Sequence, residues 1–407
     1  MVSLPEAADV AIVGAGPAGT AAAIRLARAG RSVVVVDKAT FPRDKCCGDG
    51  LTTGALRLLE GLGLDPESVA SWTPVDDVVV RSPSGREVTF PLPRHQGLFA
   101  AVARRTDLDA ALVDVARRAG AEVLEGHGCA GARLDGDGVV LDVDGAGELR
   151  ARHVVAADGM WSPLRKAFGV NDRSYLGEWH AFRQYFTDVG PRAATELMVW
   201  FEPDLLPGYA WSFPLTGGRA NVGFGIQRGE QPTKTMKQQW PELLARPHIA
   251  EFLGAGATPE APHKAWPIPA RIERATLHTA GGRVLFAGDA AAAADPMTGE
   301  GIGQALLTGE LAAEAILGGG DVAAAYTRRV RRELVADARM ANALIRVLSS
   351  PLGARGAVRV AGATAWTRRN FARWLFEDYP RALVVTPGRW REHSLTGTGA
   401  WVTSGHG

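Results

Sequence analysis

The run from Asp9 to Gly50, DVAIVGAGPAGTAAAIRLARAGRSVVVVDKATFPRDKCCGDG, decides the fold. It opens with an apolar strand, Val10 to Val13, and a tight turn, Gly14-Ala-Gly16-Pro-Ala-Gly19. An alanine-rich helical stretch follows to Ala29, and then a β-branched strand, Val33 to Val36, ends on Asp37. Gly14 permits the sharp turn, Gly16 lets the backbone approach a pyrophosphate, and Gly19 lets the helix pack against the strand. The helix N-terminus offers free N–H groups and a positive dipole end to phosphates. Asp37 lies 18 positions past Gly19, where a carboxylate accepts hydrogen bonds from ribose hydroxyls. A lone GxGxxG says little; strand, turn, helix, strand and acid in order give the context that confirms it.

Composition bounds the rest. The chain has 407 residues, enough for two or three domains and a large core. Its 46% hydrophobic and 22% charged residues are ordinary for a soluble enzyme. A net charge of +1 implies no nucleic-acid partner. Cys46, Cys47 and Cys129 cannot build a disulfide framework, so a reducing cytoplasm fits. No Cys/His cluster has metal-ligand spacing, so no metal is expected. The N-terminus runs straight into the first strand, and no apolar run reaches the length of a membrane span. A peripheral seat on a membrane surface stays open.

Along the chain, Leu51 to Leu64 has helical spacing, with Leu56, Leu59 and Leu62 on one side. Val75 to Phe90 reads as two strands around Ser82-Pro-Ser-Gly85. Gly97 to Gly120 reads as one long amphipathic helical segment. Strands follow at Glu122–Leu124, Gly131–Leu134, Val139–Val143 and Val154–Ala157. From Tyr175 to Ile268 aromatics become dense and alternating runs lack intervening helices, which predicts an antiparallel sheet. Most of those rings are expected to be sheet core, in the region where an apolar pocket would be built. A strand is expected at Arg283–Ala287 and a helix from Glu300 to Leu317. Asp321 to about Phe376 reads as helical, broken at Pro351, Gly353 and Gly356, and the tail after Pro387 as irregular.

Three further motifs sit at strand or helix ends. Arg105-Thr-Asp-Leu108-Asp109 opens a helix; Arg105 could meet a cofactor phosphate or ribose, but taken alone it reads as a surface arginine on an amphipathic helix. Asp158-Gly159 follows a strand, and Ser162-Pro163 then starts a helix. Gly288-Asp289 also follows a strand, and the segment Asp295-Pro296-Met-Thr-Gly299-Glu-Gly301-Ile302-Gly303 enters a helix. Asp289 suits a ribityl hydroxyl, and the helix start would set positive dipole beside a reduced flavin.

The ordered set GxGxxG, RxxLD, DG, GD, PxxGxG resembles the FAD-dependent oxidoreductases with the p-hydroxybenzoate hydroxylase fold. Two stretches narrow the resemblance: Lys45-Cys-Cys47-Gly48-Asp49-Gly50 and Tyr209-Ala-Trp211-Ser-Phe213-Pro214. They are similar to the K-x-C-G-D/G-G and Y-x-W-x-F-P segments of the geranylgeranyl reductase family, which reduces prenyl C=C bonds. Cys46 departs from the pattern, since proline is frequent there in bacterial members.

The resemblance implies an α/β fold: a split Rossmann-like FAD-binding domain (1–70, 96–174, 275–320) with an inserted antiparallel substrate sheet (71–95, 175–274). Residues 321–407 would form a C-terminal helical region and irregular tail. It implies non-covalent FAD on Gly14, Gly16, Ala18, Gly19, Asp37, Lys38, Arg43, Cys47, Gly48 and Gly50, then on Arg105, Asp158, Gly159 and Asp289. Pro296, Gly299, Gly301 and Ile302 complete the flavin set, with Cys129 beside the adenine. Cys47, Tyr209 and Trp211 fall at the reacting bond. An unactivated alkene needs a proton as flavin hydride arrives, so Cys47 or Tyr209 could donate or relay it. The bland readings are a small buried apolar residue for Cys47 and a wall residue for Tyr209. His180 and His263 are expected to be structural. NADPH or another external reductant, an electron-donor protein among them, would reload the flavin. The rival on the same scaffold is an FAD-dependent monooxygenase acting on an apolar or aromatic small molecule. A halogenase is disfavoured, because Trp266-Pro-Ile-Pro269 does not fit its motif.

Overall fold

Consecutive apolar residues in the first and second strands predict burial on both faces, and the computed structural model places both strands inside a parallel sheet. The structure describes residues 4–229, 236–390 and 395–402. In the first sheet, Ala7–Val13 lies between Val33–Asp37 and Gly147–Ala156, both parallel to it. Glu122–Glu125 extends one side, and Val284–Phe286 joins the other beside Gly147–Ala156. The last strand thus returns to the sheet after more than a hundred residues of inserted chain. Cys129–Asp135 and Gly138–Val143 form an antiparallel branch.

The alanine-rich reading of the first helix explains its packing. Pro17–Arg28 buries Ala18, Ala21, Ala22 and Ala23, and the helix Ile302–Gly318 crosses it closely. A side chain at Gly309 would lie 2.1 Å from the Ala18 carbonyl oxygen. Small residues on both helices permit that approach, which sets the start of the first helix against the middle of the second.

The second sheet runs Thr258–Pro259, Trp179–Thr187, Arg219–Gln227, Tyr209–Leu215, Leu197–Trp200, Asp77–Arg81, Glu87–Pro91. Its pairs are antiparallel except one: Leu197–Trp200 runs parallel to Asp77–Arg81. The purely antiparallel expectation is corrected at that pair, because the two strands come from chain segments over a hundred residues apart. Such strands are not bound to each other by a hairpin. Behind the sheet, Phe182, Phe224 and Trp240 stack with the helices Met236–Leu244 and Pro247–Leu253.

Two helical expectations are corrected. Only Arg105–Arg118 of the segment 97–120 is helical. Phe99 through Ala103 are all buried, and Ala101–Val102 pairs as a short strand with Gly50–Leu51 and Thr73–Pro74. A run buried on every side has no amphipathic period to read. Further on, the break expected at Pro351 is there, between Ala336–Leu348 and Pro351–Ala361, but Gly353 and Gly356 break nothing and lie inside the second helix. Proline suits the first helical position because its missing N–H is not needed there. The helix Val322–Val330 packs on Ile302–Gly318 beside the first sheet, Ala336–Leu348 follows it, and Pro351–Ala361 and Ala365–Leu375 cap the second sheet. The irregular tail expected after Pro387 lies partly outside the described residues. Among the described residues no helix is long and apolar enough to cross a membrane, and no group of side chains could hold a metal ion.

Candidate functional site

The strand ends of the first sheet and one face of the second border a single cavity of about 970 Å³. Gly14, Gly16 and Ala18 line its first part, with Asp37, Lys38, Arg43, Cys129, Asp158, Gly159 and Asp289. Cys47, Gly48, Gly50, Arg105, Gly299, Gly301 and Ile302 line the middle, facing Tyr209 and Trp211. The sequence-picked residues therefore converge, apart from Gly19 and Pro296, which do not border the cavity.

Local geometry explains the cradle. Gly14 has φ +101°, and a side chain there would sit 2.3 Å from the Ala157 carbonyl oxygen. At Gly16 the nearest atom to such a side chain is Arg43 Nη2, 3.5 Å away, so that backbone faces open space. Neither Gly16 nor Gly301 caps its helix with a side chain, although Glu300 accepts from the Gly303 amide at 2.8 Å in the first turn of the second. Asp158 hydrogen-bonds Ser162 and the Leu164 amide through one oxygen, while the other is buried without a partner. A groove with two helix N-termini, one of them without any side-chain acceptor, and an orphan acceptor fits a dinucleotide such as FAD.

Several residues serve the cradle indirectly. Asp37 accepts from the amides of Ala15 (2.7 Å) and Ala39 (2.8 Å), which fixes the turn. Arg105 is buried and held in a two-pronged pair with Asp109 at 2.8 and 2.7 Å. Arg43 also pairs with Asp109, at 2.9 Å. Asp289 is bound by Lys45 Nζ at 2.7 Å. Cys129 donates its thiol to the Gly131 carbonyl.

Beyond the cradle the cavity turns apolar. Tyr209, Trp211 and Phe213 alternate on one strand and so share a face, with ring centroids about 6 Å apart. A side chain at Gly223 would meet the Trp211 ring at 2.4 Å, so glycine there makes room for the indole. Val78, Val80, Leu197, Val199 and Phe201 continue the wall from the sheet. Leu344, Leu348, Val358, Phe371, Trp374 and Leu375 close it from the C-terminal helices.

Two polar clusters at this junction carry groups to which the sequence reading gave no role. Asp49 is fully buried and accepts from Tyr185 (2.6 Å) and Asn221 (2.8 Å). Burial pushes its carboxyl up to about 6 against those donors. The second cluster holds Asp295, Glu300, Glu377 and Arg381. Arg381 pairs with Asp295 and, at 3.2 Å, with Glu377. Glu377 also accepts from Gln304 and Thr52. Glu300 lines the cavity; burial, then the neighbouring Glu377, pushes it up to about 8. Glu300 was inside the quoted PxxGxG segment, and Glu377 with Arg381 ends a long acid-free run; no local pattern links the two. Cys47 accepts from the Asp49 amide at 3.4 Å, with burial raising its thiol. His263 stacks on Phe182, and burial lowers His180.

Comparison with known proteins agrees with this geometry. The family model described as FAD binding domain matches residues 7–308. A menaquinone reductase of Mycolicibacterium smegmatis is 34% identical over 388 residues, covering 88% of this chain and 90% of that protein. Digeranylgeranylglycerophospholipid reductase 1 of Methanopyrus kandleri is 35% identical over 315 residues, covering 75% and 79%. Among solved structures, a geranylgeranyl bacteriochlorophyll reductase-like protein of Thermoplasma acidophilum superimposes with a TM-score of 0.78 at 20% identity, over 95% of this chain and all of that one. The cradle, the split sheet and these relatives together make the chain a flavoenzyme: it belongs to the FAD binding domain family.

Proposed function

We propose that the enzyme saturates carbon–carbon double bonds in the prenyl chain of a lipid or quinone. The observation that carries this reading is the continuity of one cavity, from the glycine turn to the apolar chamber under Phe371 and Trp374. A polar cradle opening into a long apolar chamber suits a chain-like substrate; a compact aromatic substrate needs only a small pocket. The names of the two sequence relatives point to the same substrate class.

Bound FAD, once reduced, supplies the hydride. The chain's own groups hold it and manage the proton. The amides of Gly16 and Ala18 would take the pyrophosphate, since Gly14 and Ala15 already donate to Val36 and Asp37 and Pro17 has no N–H; Asp37 and Lys38 would border the ribose edge. Arg43, Asp158, Gly159 and Asp289 would border the phosphates and ribityl chain. The helix start from Gly299 to Ile302 would stabilise negative charge on the flavin. Tyr209, Trp211 and Phe213 seat the alkene and exclude water, and Cys47 stands at the junction as the proton donor. NADPH or a reduced donor protein would supply the reducing equivalents, because the second GxGxxG string, Gly126 to Gly131, runs from strand into strand and opens no helix to hold another nucleotide. A peripheral seat on a bilayer belongs to the same reading, since prenyl lipids reside there.

The test is anaerobic. The purified holoenzyme is reduced chemically and offered geranylgeranyl diphosphate or a menaquinone in detergent, and product masses are read. Gain of hydrogen pairs without oxygen supports prenyl reduction. No change until air is admitted, followed by oxygen incorporation, overturns it in favour of a monooxygenase.

A further inference from the structure

We propose that the helices Pro351–Ala361 and Ala365–Leu375, with the end of Ala336–Leu348, form a docking face for an anionic lipid bilayer, and that the apolar chamber opens onto that face at Val347. The proposal rests on the prenyl-chain reading for its purpose, but not for the binding itself.

Charge comes first. From Ala341 to Phe376 the sequence holds six arginines and no lysine, aspartate or glutamate. Arg373 is buried and paired with Asp378. Arg346, Arg355, Arg359 and Arg369 are exposed, and no acid within the stretch answers them. A surface of one sign over three successive helices attracts a surface of the other sign.

The apolar pattern specifies which kind. Helix Pro351–Ala361 buries Ala354, Val358 and Ala361. Its opposite face presents Leu352, Arg355, Gly356, Arg359 and Val360, spaced every third or fourth residue. Leu352 is 78% exposed and Val360 70%. Trp366, opening the next helix, is 71% exposed with Arg369 one turn on. An acidic protein partner would answer the arginines and leave these apolar side chains unexplained. Leucine, valine and tryptophan among arginines match the headgroup boundary, where rings and aliphatic groups enter the acyl edge and guanidinium groups reach phosphates. Each helix has 11 residues, too short to span a bilayer, so both lie on it.

Val347 connects the face to the site. It borders the cavity and is also 51% exposed, at the end of the helix carrying Arg346. The inward sides of the same helices supply Leu344, Leu348, Val358, Phe371 and Trp374 to the chamber wall. One helical layer therefore separates the chamber from the proposed bilayer, and a prenyl chain enters at its edge without crossing water.

The experiment is vesicle flotation of the holoenzyme with phosphatidylcholine alone or mixed equally with phosphatidylglycerol. Binding is expected only with phosphatidylglycerol, and weaker at high salt. Removal of Arg355 and Arg359 as serines should lower affinity by about fivefold per arginine. The variant L352S/V360S/W366S should lose binding at any salt yet keep its flavin spectrum and its turnover of detergent-dispersed substrate. Its turnover of vesicle-embedded substrate should fall at least to the same extent as binding. Flotation with neither vesicle, or flotation untouched by both variants, overturns the proposal. A dimer in solution that the triple variant dissociates would assign the face to a second copy instead, and also overturns it. Absence of any reduction in detergent would refute the prenyl reading, while vesicle binding would still decide for or against this face.

Discussion

Tyr185 donates a 2.6 Å hydrogen bond to Asp49, and this contact ties the second sheet to the loop that carries Cys47. Asn221 reinforces it, donating to Asp49 at 2.8 Å and to the Cys47 carbonyl at 2.9 Å. The guanidinium of Arg183 lies 4.0 Å from the centre of the Tyr185 ring. Asp49 itself has φ +65°, so the loop is fixed in a strained turn by what its side chain accepts.

Burial raises the Asp49 carboxyl from 3.8 to about 6, so the folded chain binds its proton more tightly than the unfolded chain does. Between pH 4 and 6 the native state therefore holds more protons, and stability falls as pH rises through that window. Asp49→Asn should remove this slope, about 1–3 kcal/mol over two pH units. Tyr185→Phe should steepen it, by withdrawing a donor from the charged form. Denaturant midpoints across the window decide; an unchanged slope in Asp49→Asn refutes the assignment.

The cluster at the start of the helix Ile302–Gly318 has one cation for three carboxylates. Arg381 is almost fully buried between Asp295 and Glu377. Arg381→Gln should cost about 3–5 kcal/mol, because buried carboxylates lose their partner. Glu300, raised from 4.5 to about 8, opposes folding increasingly as pH climbs between those values. Glu300→Gln should flatten stability across that range and leave FAD content unchanged. A thermal melt series from pH 5 to 9 reads both variants; a drop in flavin content would instead make Glu300 part of the cofactor cradle.

The cradle was legible because its chemistry is local: Gly14, Gly16, Asp37 and Asp158 each sit at a fixed offset from a strand end. The second sheet was legible from alternation along Tyr209–Leu215 and Arg219–Gln227. What escaped is non-local. Tyr185 and Asp49 are 136 positions apart, and nothing in either neighbourhood names the other. Glu377 and Arg381 reach the helix start only because the C-terminal helices fold back over the sheet. The parallel pair of Leu197–Trp200 with Asp77–Arg81 escaped for the same reason. Phe99 to Ala103 was misread because a run buried on every side has no period.

Gly14 is the position where a single methyl group decides the cradle. An alanine there needs φ +101° and puts its Cβ 2.3 Å from a carbonyl oxygen of the neighbouring strand. Backbone strain alone costs about 1–3 kcal/mol, and the clash adds to it. Gly14→Ala should lower both soluble yield and FAD content. Gly16→Ala meets only an arginine tip at 3.5 Å, so it should fold normally and lose FAD affinity alone. Melting temperature and the flavin-to-protein absorbance ratio, measured on both variants, separate the two roles; equal melting temperatures would refute the strain argument.

Cys47 and Tyr209 compete for the part of proton donor, and their hydrogen bonds separate them. The Tyr209 hydroxyl donates to the Thr298 carbonyl, so its proton is committed to fixing the loop before the helix Ile302–Gly318. The Cys47 sulfur accepts from the Asp49 amide, a bond that does not use its S–H proton, and Cys47 borders the cavity. Burial, which outweighs the nearby Arg105, keeps that sulfur as a thiol. A neutral thiol is poor at attack on alkylating reagents but is a proton source. Cys47→Ala should lower single-turnover prenyl reduction by about 10²–10⁴, the usual span for a lost general acid, with flavin content intact. Cys47→Ser, which keeps an O–H, should recover part of that loss. Tyr209→Phe should lose less than about tenfold, mostly in KM, as a positioning group would. The reverse ranking, with Tyr209→Phe the slower enzyme, would transfer the proton to the phenol.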